Sequence, residues 1–197
     1  MERLRIKLDS IAKMHDESTQ CENDIVTTIL DAWSLIDVCH RIRRLIFQIS
    51  GLPHNTAALQ IFSRATRQVE TLRHYVQHFA SGIQSIPRNS YPLWGALSWV
   101  PSFAPCKCNT ILTGNLLPGI NAPSCAYDTH KLQFDQRLML YASGTSINLQ
   151  DIADNVGQLR TFFADWLRRD PRFNIIERHI PIMTFEVHPD YPDRKSS

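Results

Sequence analysis

The chain has 197 residues, of which 43% are hydrophobic and 20% charged, with a formal net charge of +2. That length suits one domain, or one domain with an extension, and is ample for a core. So small a net charge announces neither a nucleic acid nor a membrane surface, and no apolar run is long enough to span a bilayer.

The opening MERLRIKLDSIAKMHDE carries Leu4, Leu8 and Ile11 at helical spacing, but a strand followed by a turn fits it equally. It lacks an apolar signal core, so the expectation is a cytoplasmic protein. The first strong helix is predicted from Glu22 to Ser50, ahead of the stop signal Gly51-Leu52-Pro53. Ile25, Ile29, Ala32, Trp33, Ile36 and Phe47 make one apolar face of it. Leu35, Val38, Ile42, Leu45 and Ile49 make a second, nearly opposite, with Asp37, Arg41 and Arg44 in the polar arc between them. A helix apolar on two sides belongs in the middle of a bundle or at a dimer interface. His40 and Arg43 fall within the first apolar arc, where an arginine needs a partner from Asp31, Asp37 or a neighbouring helix.

A second helix is predicted from a cap at Asn55 or Thr56 to about Ile86, before Pro87. Its stripe is Leu59, Phe62, Ala65, Val69, Leu72, Val76, Phe79 and Ile83. Two such helices joined by a short link form an antiparallel hairpin. After Pro87, prolines and glycines punctuate the chain, and short strands are predicted around 97–100, 110–113 and 131–141. A third helix is predicted over 149–169, capped by Asn148, with Ile152, Val156, Leu159, Phe163 and Trp166 as its stripe. A last strand over 180–187 precedes a polar tail. The expected fold class is mainly α with some β. Residues 1–86 give an N-terminal segment and a long-helix hairpin, and 87–147 a strand-rich insertion. Residues 148–190 give a helix and strand completing the same domain, and 191–197 a disordered tail.

The chemistry concentrates in Arg73-His74-Tyr75-Val76-Gln77-His78 on the second helix. Arg73 sits at the edge of the apolar stripe, while His74 and His78, four apart, share the polar side. Histidine exchanges protons near neutral pH, and arginine grips phosphate through two donors. Together they suffice for metal-free RNA cleavage, the histidine assisting attack by the ribose 2′-hydroxyl and the arginine stabilising charge on the phosphoryl oxygens. Residues five apart diverge by about 140° round a helix, so one helix offers half a site. A second helix across a two-fold axis would supply the rest.

An arginine followed after four residues by a histidine, inside a long helix preceded by DAWSLIDVCHRIRRLI, resembles the signature of the HEPN superfamily over residues 22–86. The resemblance implies a HEPN-like helical bundle and a homodimer through the hairpin. It implies a metal-independent endoribonuclease, without cofactor, in defence or toxin–antitoxin biology, with RNA as substrate and an antitoxin as partner. It makes Arg73 and His78 catalytic and His74 auxiliary. Two features depart from it. HEPN toxins paired with nucleotidyltransferase antitoxins carry a tyrosine two positions after the histidine, and that position is Ala80 here. A HEPN domain is also wholly helical, so the strand-rich middle would be an insertion.

Plainer readings stand beside these. The Arg73–His78 spacing also fits a solvated helix face, and the hairpin a non-catalytic protein that only dimerises or binds. His74 and His78 have the spacing of a helical zinc pair, but Tyr75 stands where HExxH requires glutamate. Five cysteines, an odd count, argue against a disulfide framework. Cys106, Cys108, Cys125 and His130 supply four zinc-type ligands at a spacing that matches no standard knuckle, with free loop thiols as the alternative. Trp94 and Trp99 read as core, or as a platform for bases.

Overall fold

The computed structural model describes residues 1–14, 21–78, 95–113 and 125–169. Within them the protein is mainly helical with a small antiparallel sheet and a C-terminal helix. The helices are α1 (Glu2–Lys13), α2 (Cys21–Gln48), α3 (Ala57–Ala65), α4 (Arg67–Gln77) and α5 (Leu149–Arg169). The strands are β1 (Ala96–Trp99), β2 (Asn109–Leu112), β3 (Tyr127–Asp128), β4 (Gln133–Phe134), β5 (Leu138–Ala142) and β6 (Thr145–Asn148). The chain divides into two compact units, Met1–Phe162 and Phe163–Ser197. No helix among the described residues is long and apolar enough to cross a membrane. The predicted strand over 180–187, the tail, and the continuation of the second helix over 79–86 lie outside the described residues.

The N-terminal segment is a helix. Leu4, Leu8 and Ile11 recur every three or four residues, all three are buried, and α1 packs on α2. Lys7 Nζ lies 2.5 Å from Asp31 Oδ2 on α2. Asp9 accepts hydrogen bonds from the Ser102 amide and hydroxyl, which ties α1 to the loop after β1.

On α2 the inward face consists of Ile29, Ala32, Trp33, Ile36, Cys39 and Ile46. Phe47 was expected there, but Ile46 takes the inward place. Phe47 is 63% exposed and lies beside the His54 ring, with centroids 6.1 Å apart and planes 16° off parallel. The second apolar face is open: Val38 and Leu45 are more than half exposed, while Leu35, Ile42 and Ile49 are half-buried.

The long second helix of the sequence reading is two helices. It breaks at Thr66, which closes α3 and opens α4 with φ −101° and ψ 12°. The Thr66 hydroxyl donates to the Phe62 carbonyl at 2.6 Å, four residues back, a local bond that competes with the helix ladder. Arg43 on α2 reaches into this break. Its Nη1 donates to the Ser63 carbonyl and to Thr66 Oγ1, each at 2.7 Å. The arginine in the apolar arc thus finds its partner on the neighbouring helices rather than at Asp31 or Asp37. Either side of the break, Phe62, Val69 and Leu72 are buried, each contributing about 1.5–3 kcal/mol of transfer free energy. Thr56 precedes α3, but its hydroxyl makes no cap hydrogen bond.

The sheet runs β2-β1-β5-β6, antiparallel throughout. The central β1 is buried along its whole length, including Trp99, which answers the core-or-platform question for that residue. Buried Ser98 hydrogen-bonds Thr110 across the β1–β2 pair at 2.8 Å. β6 runs directly into α5, whose first turn is capped by Asn148 Oδ1 accepting from the Gln150 amide, and α4 packs against β6. In place of the single strand expected over 131–141, the chain leaves the turn of the β3–β4 hairpin, forms β4 and then forms β5. Asp128 Oδ1 accepts from the amides of His130 and Lys131, forming a tight turn, and Leu132 takes φ 52°. An extended run is impossible through that turn.

Two substitutions test this framework. Thr66→Val keeps the volume and removes the hydroxyl that Arg43 addresses, so unfolding in urea should show a loss of about 1–3 kcal/mol. An unchanged midpoint would mean that the break does not depend on that bond. Gly95 has φ 86°, and a Cβ there would stand 2.3 Å from the Tyr141 carbonyl oxygen. Gly95→Ala should therefore cost at least the left-handed penalty of about 1–2 kcal/mol, read as a lowered thermal midpoint.

Candidate functional site

Arg73 lies on α4, which packs against α2, and this pairing brings its guanidinium to Asp37. Arg73 Nε donates to Asp37 Oδ1 at 3.1 Å, and Arg41 Nε approaches Asp37 Oδ2 at 2.7 Å. One carboxylate on α2 is therefore shared by two arginines. The hydrogen bond from Arg73, the largest cause, together with the charge and hydrogen bond of Arg41, holds the Asp37 carboxyl below the usual carboxylate range. The Arg73 side chain is 28% exposed and lines a cavity of about 260 Å³ with Asp37, Trp33 and Val76. It is half-buried but not sealed.

The two histidines lie on the outer side of α4, as the helical spacing predicts. His74 and His78 are exposed, and their rings sit 4.2 Å apart with planes tilted by 49°. His78 caps the C-terminal end of α4, its amide donating to the His74 carbonyl at 3.0 Å. Arg73 is thus turned toward α2 while His74 and His78 face outward. The three residues are near neighbours in sequence but are held by different surroundings.

Sequence reasoning left three participants out of this arrangement. Asp37 and Arg41 were visible as a polar arc on α2, and Arg73 as a residue at the rim of the apolar stripe. Only the packing of α4 on α2 shows that the two meet. His40, one turn from Asp37, is the third. Its Nδ1 is buried without a hydrogen-bond partner among the described residues. Burial, first, and the Arg73 charge, second, push its pKa down, with Glu70 pulling the other way.

Of the zinc candidates, Cys108 and Cys125 come together, while Cys106 and His130 do not join them as a group. Cys125 is buried with Val100 and Met139, and Cys108 packs against that cluster. Cys106 is exposed, and His130 is exposed in the β3–β4 turn. Among the described residues, no group of three or more potential metal ligands comes together. Burial pushes the Cys125 thiol up, with the neighbouring Cys108 adding to it. Cys39 is likewise buried in the helical core, its thiol pushed up to about 11 by burial.

Comparison with models of protein families, with curated proteins and with solved structures finds no match for this chain.

The His40 surroundings predict a pH dependence of stability. Its folded pKa lies below the ordinary value of about 6.5, so the native state binds fewer protons than the unfolded chain. The associated stability is complete above that ordinary value and is lost as pH falls through the depressed folded pKa. Urea midpoints should fall between pH 7.5 and 5.5, and His40→Gln should flatten that slope. An unchanged slope in the variant would assign the dependence to other groups.

Proposed function

We propose that this protein is a HEPN-like, homodimeric, metal-independent endoribonuclease that uses Arg73 and His78, with His74 assisting. The observation that carries the reading is the placement of its parts. An arginine anchored by Asp37 at the α2–α4 contact stands beside an outward-facing histidine pair, on a hairpin whose other surface is apolar and open.

The chemistry assigns each residue a task. His78 takes the proton of a ribose 2′-hydroxyl or returns one to the leaving 5′-oxygen. Arg73 exchanges part of its contact with Asp37 for a non-bridging phosphate oxygen, and Arg41 retains the carboxylate. The 2′-oxygen bonds to phosphorus as the P–O5′ bond breaks, leaving a 2′,3′-cyclic phosphate and a 5′-hydroxyl. Because Arg73 and His78 diverge, a second copy of the hairpin supplies the opposing pair. The exposed face of α2 suits that association: positions 35, 38, 42, 45 and 49 alternate in steps of three and four, the spacing of a coiled-coil seam. An antitoxin and a role in defence belong to the same reading and rest on the resemblance alone.

A second reading has its own support. The Asp37–Arg73 pair also reads as a structural clamp, in a protein that dimerises through the hairpin without catalysis.

Two experiments separate them. Wild-type protein in the presence of a chelator should cut RNA to 2′,3′-cyclic phosphate ends, and His78→Ala should lower the rate by about a hundredfold or more. Intact RNA with wild type, or equal cutting by His78→Ala, would remove the nuclease and leave the clamp. Val38→Glu with Leu45→Glu should convert a dimer to a monomer in light scattering under either reading, and cutting should disappear with the dimer only under the first. A wild-type monomer would remove the dimer from both.

A further inference from the structure

The break at Thr66 opens a second feature, distinct from the Arg73–His78 motif. Between the C-terminal half of α2 and the α3–α4 corner lies a cavity of about 610 Å³, and beside it one of about 380 Å³. Both are lined by Arg43, Phe47 and Glu70, so they are parts of one cleft. Neither is lined by Arg73, His74 or His78.

The charge around this cleft is one-sided. Arg43, Arg44, Arg64 and Arg67 line it, against the single carboxylate of Glu70. Arg44, Arg64 and Arg67 form no ion pair among the described residues. Arg43 spends Nη1 on Ser63 and Thr66, and its other guanidinium nitrogens have no partner among the described residues. Four guanidiniums gathered around a single carboxylate leave an excess of positive charge that an anion would offset, and guanidinium geometry matches phosphate oxygens.

The remaining walls are not those of a simple anion site. Phe47 and His54 line the larger cavity as a near-parallel, solvent-facing ring pair, and Ile46, Leu59 and Phe62 give it an apolar floor. An exposed phenylalanine beside a histidine is a surface on which a flat heterocycle stacks. Glu70 and Gln60 offer acceptors and donors of the kind that bind a ribose diol or a base edge. His40 lines the smaller cavity, and its buried Nδ1 has no partner among the described residues. The larger volume falls in the range of about 300–1,000 Å³ typical of small-molecule sites.

We propose that this cleft is a binding site for a nucleoside phosphate, taken as a free small molecule. The phosphates lie among Arg43, Arg44, Arg64 and Arg67, and the base stacks on the Phe47–His54 face. The cleft touches the motif indirectly. Glu70, on its wall, precedes Arg73 by one turn of α4, and both act on His40. A ligand here would therefore also bear on the helix that carries Arg73.

Calorimetric titration of the full chain with ATP, ADP and inorganic pyrophosphate tests the site. ATP should bind with one site per chain. Arg64→Ala combined with Arg67→Ala, both exposed positions, should weaken it about tenfold or more. Phe47→Ala, also exposed, should weaken ATP about tenfold while leaving pyrophosphate unchanged, because only the base meets the ring. Circular dichroism and urea midpoints establish that these surface variants remain folded. Absence of binding at millimolar ATP would overturn the proposal. So would binding that ignores the arginine substitutions, or equal affinity for ATP and pyrophosphate with no Phe47 effect. If a single-stranded RNA oligonucleotide binds through these residues while ATP does not, the free-ligand assignment is likewise overturned. His78→Ala should leave ATP binding unchanged, so failure here is separable from failure of the nuclease reading.

Discussion

The helical part of this protein turns on one guanidinium. Arg43 comes off the inward face of α2 and donates to both the Ser63 carbonyl and the Thr66 hydroxyl, at the place where α3 gives way to α4. A charged group on a buried face is costly without partners. Here the cost is offset by polar groups that the helix break itself exposes. The break and the arginine need each other: an unbroken helix would occupy the Ser63 carbonyl in its own ladder, and an absent arginine would leave a half-buried corner unsatisfied.

The rest of the arrangement follows from that joint. Because α4 starts anew at Arg67, its direction is set by Val69 and Leu72 packing inward, not by continuation of α3. That direction lays Arg73 against Asp37 and sends His74 and His78 outward. It also leaves Arg64 and Arg67 flanking an open corner beside Phe47 and His54. The motif and the cleft are thus two products of one discontinuity, the first on the far part of α4 and the second at its root.

How much of this was readable from the residues divides along physical lines. Helix identity follows periodicity, and α2, α5 and the burial of Leu4, Leu8, Leu59, Phe62, Val69 and Leu72 agree with it. Asn148 capped α5 as its side chain allowed. The break at Thr66 was not readable, because a threonine inside an apolar stripe is ordinary and its hydroxyl matters only once Arg43 arrives from 23 residues away. The turn through Asp128 was hidden for the same kind of reason, since alternating residues over 131–141 mimic a strand when the Asx turn is ignored. In the site, the spacing of Arg73 and His78 was plain, but Asp37 as anchor and His40 as neighbour require α2 and α4 to be placed together, and the ring partner of Phe47 requires the turn after α2 to fold back.

Asp9 bears on how the chain reaches this state. It binds Ser102, 93 residues further on, so α1 cannot complete its contacts until the loop after β1 has been made. Closing so long a loop is entropically expensive, and contacts of such sequence separation slow folding. As the chain leaves the ribosome, α2, α3 and α4 can condense locally while α1 has only its contacts to α2, including Lys7 with Asp31. The helix α1 is therefore synthesised before α2, α3 and α4 yet secured after them, a latch whose keeper is made only once those three helices are done.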